Sequence, residues 1–156
     1  MRSSRRIPGL AFWLGLSLLA GVAGSRWMPG TWYADLVKPP WNPPSWIFGP
    51  VWTFLYVLMG VAAWMVWLRA GWEKGRAALA VFVLQLILNF TWSWIFFGAH
   101  RMGWALVEIV VLWLTILLAA ILFARHSVTA AALLVPYLLW VAFATALNAA
   151  LWHLNT

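Results

Sequence analysis

The sequence predicts an all-α membrane protein, a bundle of five transmembrane helices formed by residues 1–156 as a single domain. Hydrophobic residues make up 65% of the chain and charged residues only 8%, whereas a soluble domain is about half apolar and about a quarter charged. Five apolar runs have the length that a helix needs to cross a bilayer. These runs also lack the alternation of polar and apolar residues that is typical of membrane β-strands.

The composition excludes several other classes of protein. Disorder requires low hydrophobicity, which this chain does not have. The chain contains no cysteine, which excludes disulfides and thiolate metal sites. The net charge of +7 does not indicate a nucleic-acid partner, because the basic residues lie at the ends of apolar runs and not along one groove.

Each predicted span can satisfy its backbone hydrogen bonds internally as a helix. The spans cover residues 7–24, 46–68, 77–98, 104–124 and 128–152. The first span has a second interpretation as a secretory signal, because Arg2, Arg5 and Arg6 precede an apolar run that ends in small residues. The short links between the later spans predict that successive helices are antiparallel neighbours.

The one long connection, residues 25–45, is predicted to be an ordered cap over one end of the bundle. It is rich in proline, which prevents a continuous helix, and in aromatic residues, which a plain flexible linker lacks. Its candidate ligand contacts are Trp32, Lys38 and Trp41. A loop that lies in the lipid interface is the alternative.

The distribution of Lys and Arg predicts the orientation, since cytoplasmic loops carry an excess of both. Those on the N-terminal side of the bundle are Arg2, Arg5, Arg6, Arg69, Lys74, Arg76 and Arg125. Those on the cap side are Arg26, Lys38 and Arg101. We therefore expect a multi-pass protein of a bacterial cell membrane with a cytoplasmic N-terminus, and the outer membrane is the alternative location.

Four predicted spans carry aromatic, polar and small residues on one helical face, because steps of three or four residues keep side chains on the same face. The four sets are Trp52, Tyr56 and Gly60; Gln85, Asn89 and Trp92; Trp104, Glu108, Val111 and Thr115; and Tyr137, Trp140, Ala144 and Asn148. If these faces converge, they form an apolar pocket with a few polar groups, as small-molecule sites do. The alternative for Asn89 and Asn148 is hydrogen bonding between helices.

Titratable residues give little indication of catalysis. Glu108 is the one acidic residue within a predicted span, and a salt bridge to Arg101 or a position near the helix end is favoured over a functional carboxylate. The histidines, His100, His126 and His153, lie in loops or at the C-terminus without metal-ligand spacing. We therefore expect no metal and no cofactor.

Three blocks of sequence carry a family resemblance. They read WYADLVKPPWNPPSW at 32–46 with PVWTFLYVLMG at 50–60, QLILNFTW at 85–92 with MGWAL at 102–106, and PYLLWVAFATALN at 136–148. The blocks, in this order, resemble the translocator protein family, also called tryptophan-rich sensory proteins or peripheral-type benzodiazepine receptors. The resemblance extends over nearly the whole chain and implies that the first helix is retained.

The resemblance implies a pocket beneath the loop between the first two helices. It also implies binding of tetrapyrroles, notably protoporphyrin IX, and of synthetic isoquinoline- and benzodiazepine-type ligands. The family's pocket residues fall on Trp52, Asn89, Trp92, Trp104, Trp140, Ala144 and Leu147. Trp52 and Trp140 match the pair implicated in light-dependent porphyrin breakdown in some bacterial relatives.

Two family features do not transfer directly. The cholesterol motif of animal members requires Lys or Arg after an aromatic residue near the C-terminus, and neither follows Arg125. Family members form homodimers, often through the third helix, but here small residues are spaced for helix contact more clearly in the fifth helix, at Ala142, Ala146 and Ala150.

We therefore expect an integral membrane protein that binds protoporphyrin IX or a related tetrapyrrole and acts in porphyrin sensing, sequestration or transport. The expected ligand-binding residues are Trp52, Tyr56, Asn89, Trp92, Trp104, Tyr137, Trp140, Ala144, Leu147 and Asn148. Lys38 either pairs with a propionate or is solvated. The alternative function is an enzyme that degrades porphyrin in light, with Trp52 and Trp140 as its catalytic residues.

Overall fold

The protein is helical through most of the part described by a computed structural model, residues 6–156. Its elements are α1 (Arg6–Gly24), α2 (Thr31–Asp35), a 3-10 turn (Ser45–Ile47), α3 (Phe48–Ser93), a π-helical turn (Trp94–Gly98), α4 (Met102–Ala124), α5 (Val128–Leu133) and α6 (Val135–Leu154). Arg2 and Arg5, which contribute to the predicted orientation, lie outside the described residues.

Four helical segments in the described part are long and apolar enough to cross a membrane. They are Arg6–Gly24, Ser45–Gly98, Met102–Ala124 and Val128–Leu154. The prediction of an all-α membrane protein is therefore confirmed.

The segment Ser45–Gly98 holds 54 residues, whereas a single crossing needs about 20. Within it, α3 is interrupted at Gly71, where φ is 61° and ψ is −167°, a conformation that glycine adopts without a side-chain clash. The halves on either side of Gly71 run antiparallel, because Tyr56 bonds to Asn89 and Gln85 contacts Met59. The gap predicted between residues 68 and 77 is wrong, because helix continues up to Gly71 and resumes directly after it.

The segment predicted as the last span consists of two helices, α5 and α6, separated at Leu134. Helix α5 begins after Ser127, whose Oγ accepts a hydrogen bond of 3.2 Å from the backbone N–H of Ala130 and so caps the helix. Pro136 lies in the first turn of α6, where a missing N–H leaves no helical bond unmade.

The interior lies mainly between the two halves of α3 and helices α4 and α6. Ala62, Ala63 and Ala119 are fully buried there, and small residues allow membrane helices to approach closely. Helix α1 packs along α3. At Gly60 the side chain would meet backbone, since an added Cβ would lie 2.8 Å from the Cα of Leu14, so only glycine fits at this crossing.

Candidate ligand-binding site

A cavity of about 320 Å³ lies between α1, both halves of α3 and α6, beneath the connection from α1 to α3. Small-molecule sites have volumes of about 300–1,000 Å³. Most of the lining is apolar or aromatic. The lining residues are Leu18, Gly21, Val22, Gly24, Ser25, Trp27, Met28, Pro29, Tyr33, Phe48, Gly49, Trp52, Thr53, Tyr56, Asn89, Trp92, Ser93, Phe96, Phe97, Trp140, Ala144, Leu147, Asn148 and Leu151.

The structure brings most of the predicted ligand-binding residues together around this cavity. Those that line it are Trp52, Tyr56, Asn89, Trp92, Trp140, Ala144, Leu147 and Asn148. Tyr137 is completely buried behind this wall, where its hydroxyl bonds to Asn89 and Gln85. The helical faces identified on the second, third and fifth predicted spans therefore converge.

Trp104 lies elsewhere. Its side chain is 69% exposed and lines a separate groove on the outside of the bundle, with Arg101 and Glu108. The buried side of α4 carries Ala105 and Ile109 instead. A tryptophan near the end of a span is equally suited to the membrane interface, so its aromatic character alone does not indicate which way it faces.

Asn89 is the centre of a buried chain of hydrogen bonds that links both halves of α3 to α6. Its Oδ1 accepts from the Tyr56 hydroxyl, and its Nδ2 donates to the Tyr137 hydroxyl at 2.9 Å. The Tyr137 hydroxyl in turn donates to Oε1 of Gln85 at 2.7 Å. Polar groups in hydrocarbon need partners, and these residues supply partners to one another across helices.

Asn148 also forms hydrogen bonds to other helices through both ends of its side-chain amide. Its Oδ1 accepts a bond of 3.1 Å from Nε1 of Trp92, and its Nδ2 donates to the backbone carbonyl of Met102 at 2.9 Å. These two bonds hold the indole of Trp92 against the cavity and join α6 to the start of α4. Both asparagines thus bond between helices and also line the cavity, and their contact with a ligand stays a prediction.

The aromatic wall is built from rings that support one another. Trp52 lies 5.7 Å from Tyr56 and 6.2 Å from Tyr137 between ring centroids, while Trp140 lies 6.1 Å from Phe48. Such contacts stabilise aromatic pairs by about 0.5–1.5 kcal/mol each. Nε1 of Trp140 is buried and has no hydrogen-bond partner among residues 6–156.

Tyr33 of α2 contributes the roof of the cavity. Its hydroxyl donates to Oδ1 of Asn42 at 3.0 Å. Burial raises the pKa of the Tyr33 hydroxyl above its ordinary value of 10.0, and the bond to Asn42 opposes this with a smaller effect. The phenol therefore keeps its proton at neutral pH and remains the donor in this bond.

The three cap residues predicted to contact a ligand do not line the cavity. Trp32 stacks on His100 at 4.1 Å, and Trp41 lies 5.8 Å from Phe143, so both attach the cap to the helices below. The ammonium group of Lys38 donates to the backbone carbonyls of Ala34 and Leu36. The bonds satisfy carbonyl groups at the C-terminal end of α2, where a positively charged side chain is favourable.

Sequence reasoning missed the side of the cavity that α1 supplies. Leu18, Gly21, Val22 and Ser25 line it, together with Tyr33 from the cap. Helix α1 is apolar almost all round, so no polar stripe distinguishes its inward face. The run of small residues near the end of α1 was the one available signal, because small side chains leave space.

Glu108 does not form the predicted salt bridge with Arg101. Both of its carboxylate oxygens are buried and have no hydrogen-bond partner among the described residues. An unpartnered carboxyl group within a membrane span is costly. Its position between Trp104 and Val111 on the outer groove separates it from the cavity.

We expect Glu108→Gln to stabilise the protein by roughly 1 kcal/mol, because glutamine carries no charge, whereas the carboxyl group of Glu108 must either be neutralised on folding or be buried as an unpartnered anion. Thermal unfolding in detergent, followed by tryptophan fluorescence, measures the change. Glu73→Gln is the matched control, since Glu73 is exposed and should leave the melting temperature unchanged. A clear loss of stability in Glu108→Gln would show that the carboxyl group has a stabilising partner.

Sequence comparison relates this chain to known proteins. The model of the TspO/MBR family matches residues 10–153. The chain is 47% identical to the tryptophan-rich protein TspO of Chlorobaculum tepidum, over 97% of this chain and 99% of that protein. It is 43% identical to the human translocator protein, over 96% of this chain and 90% of that protein.

A third relative is the tryptophan-rich sensory protein of Cereibacter sphaeroides. The two chains are 42% identical over 86% of this chain and 83% of the relative. The family match covers nearly the whole chain and includes every helix that borders the cavity. This chain is therefore a member of the TspO/MBR family of integral membrane proteins.

Proposed function

We propose that this protein binds a tetrapyrrole, protoporphyrin IX, in the cavity beneath the cap and so acts in porphyrin sensing, sequestration or transport. The observation that carries the proposal is the set of indole rings, Trp52, Trp92 and Trp140, around one apolar cavity. Flat aromatic macrocycles stack favourably on such rings. Family membership supports the same ligand class, and one relative's name describes it as a sensory protein.

Synthetic isoquinoline- and benzodiazepine-type molecules are proposed as further ligands of the same cavity. They share with porphyrins a planar aromatic body and few hydrogen-bonding groups. Asn89 and Asn148 already bond to the protein, which favours ligands that are held by shape and ring contact. We propose no cofactor beyond the ligand itself.

We propose that the chain crosses the membrane five times, with each half of α3 forming one crossing. The antiparallel halves on either side of Gly71 support this count. The N-terminus then lies in the cytoplasm of a bacterial cell, on the side that carries Arg69 and Arg125.

We further propose a homodimer, for which the exposed Ala142 and Ala146 on α6 offer a surface of small residues.

Light-dependent degradation of the bound porphyrin is a second candidate function. The favouring observation is that Trp52 and Trp140 both border the cavity and that Trp52 lies beside the rings of Tyr56 and Tyr137. Indole and phenol rings in and behind the cavity wall can supply an electron to an excited ligand, and the oxidant for opening the macrocycle would be dissolved dioxygen. A bilin-like absorption that develops only in light and only with protein would identify this activity.

The test is a titration of the purified protein with protoporphyrin IX in the dark, followed by tryptophan fluorescence. We expect saturable quenching, and we expect Trp52→Ala and Trp140→Ala each to weaken binding about tenfold, since loss of an aromatic contact costs about 1.5 kcal/mol. Trp94→Ala is the matched control, because Trp94 faces away from the cavity, in the outer groove. Unchanged affinity in both cavity variants would exclude this site.

A further inference from the structure

We infer that ligands enter this cavity sideways from the bilayer, between the end of α1 and the start of α3, while the cap stays closed as a fixed roof. The cap is the connection defined above, residues 25–45. The inference rests on the proposed function, because it concerns access to the same cavity. The inference adds to that function the route of entry, between α1 and α3, and the source of the ligand, the lipid bilayer.

The C-terminus fastens the roof. The side-chain amide of Asn155 pairs with the backbone of Val37 in both directions, since Val37 N–H donates to Oδ1 and Nδ2 donates to the Val37 carbonyl, each at 2.9 Å. Nδ2 also donates to the carbonyl of Leu151 at 2.8 Å, which holds the amide on α6. A two-point hydrogen bond fixes the orientation of the Val37 peptide as well as its position.

Aromatic contacts attach the same roof at two more points. Trp32 stacks on His100, in the turn that precedes α4, with an interplanar angle of 12°. Trp41 meets Phe143 of α6 edge to face. The roof is therefore joined to the α4 and α6 side of the bundle, and axial opening would break all three attachments together.

The opposite side of the cavity is open. Val22 is 69% exposed, and Ser25, Gly49 and Thr53 are exposed as well although they line the cavity. The wall formed by α6 is closed by comparison, with Asn148 only 1% exposed. Helix α1 packs along α3 and makes no comparable contact with α6, so the opening lies where α1 and α3 diverge.

This opening faces lipid. Its two sides belong to Arg6–Gly24 and Ser45–Gly98, both segments that are apolar and long enough to cross a membrane. The hydroxyls at its rim bond to their own helices, Ser25 to the Val22 carbonyl and Thr53 to the Gly49 carbonyl. A lipophilic ligand dissolved in the bilayer would meet an apolar passage and would not have to cross water.

The absence of native cysteine allows a direct test of the roof. The double variant Val37→Cys, Asn155→Cys is designed to link the cap, on oxidation, to the residue that follows α6, and the loss of free thiols verifies the bond. Binding of protoporphyrin IX to the protein in phosphatidylcholine nanodiscs is followed by stopped-flow tryptophan quenching. We expect the oxidised, reduced and wild-type proteins to associate at rates within about twofold of one another, since related proteins sharing one route differ little in association rate.

A second variant tests the side opening. Thr53→Phe adds bulk at its rim, and we expect association to slow by about tenfold without faster dissociation, because a barrier at the rim slows passage in both directions, whereas a ring that only filled the cavity would speed dissociation. Thr91→Phe is the matched control. Thr91 lies on the same helix and bonds its own backbone in the same way, but it lies outside the cavity, so both rates should match the wild type.

The outcomes separate the two proposals. Binding that stops on oxidation of the cysteine pair and returns on reduction would overturn the lateral route in favour of access through the roof. Wild-type rates in Thr53→Phe would overturn it as well. Absence of saturable quenching in the wild-type protein would overturn the proposed function, and the inference with it.

Discussion

Replacing Ala144 by Phe should weaken binding of protoporphyrin IX by about 100-fold or more, which corresponds to about 2.7 kcal/mol. Ala144 lines the cavity one helical turn beyond Trp140. A benzyl group there would occupy a large part of a cavity of about 320 Å³, and close-packed walls cannot move aside at low cost. The loss should appear in the titration of tryptophan fluorescence with porphyrin.

Ala142→Phe is the control for this substitution. Ala142 lies two residues earlier on the same helix, is exposed and does not border the cavity. The same added ring should therefore leave affinity unchanged. Retained porphyrin affinity in Ala144→Phe, with thermal unfolding like that of the wild type, would show that the ligand binds outside this cavity.

Replacing Gly60 by Leu should destabilise the protein by about 3 kcal/mol, the upper part of the range for overpacking a close contact. The Cβ atom would meet the backbone of α1, 2.8 Å from the Cα and 3.1 Å from the N atom of Leu14. A backbone cannot rotate out of the way as a side chain can. Thermal unfolding in detergent, with residual helicity measured by circular dichroism, would record the loss.

Gly15→Leu supplies the matched comparison. Gly15 is on the same helix as Leu14, but an added Cβ at Gly15 would have no neighbour within 4 Å. Leucine has a higher helix propensity than glycine by several tenths of a kcal/mol, so this variant should be at least as stable as the wild type. Equal stability of Gly60→Leu and Gly15→Leu would contradict the close crossing of α1 over α3.

The convergence of three helical faces could be predicted because polar and aromatic residues recur there at helical spacing within apolar spans. Tyr56, Asn89 and Tyr137 are polar groups within apolar runs, and hydrocarbon forces such groups to find partners inside the bundle. Burial of all three therefore followed from the sequence. The same reasoning could not find the α1 side of the cavity, where no polar group distinguishes the inward face.

The failures have physical causes as well. Trp104 belongs to a face that resembles the other three in composition, but indole is favourable both inside the bundle and at the lipid interface. The sequence located the break between the second and third predicted spans, at residues 69–76, but not its form. A single glycine with a positive φ reverses the chain there, so helix continues on both sides of Gly71 where a loop was expected. The roles of Lys38 and Trp32 depend on contacts that only the folded cap creates.

The pairing of Asn89 and Asn148 with protein groups has a consequence for ligand selectivity. The oxygen and the nitrogen of each side-chain amide already have one protein partner, which fixes the orientation of the amide and limits what a ligand gains from offering donors or acceptors to it. Discrimination then depends on molecular outline and ring area, which chemically unrelated planar compounds can share. Such a cavity accepts chemically different planar ligands. A substitution that changes the cavity volume should therefore alter ligand selectivity more than one that changes the polarity of the wall.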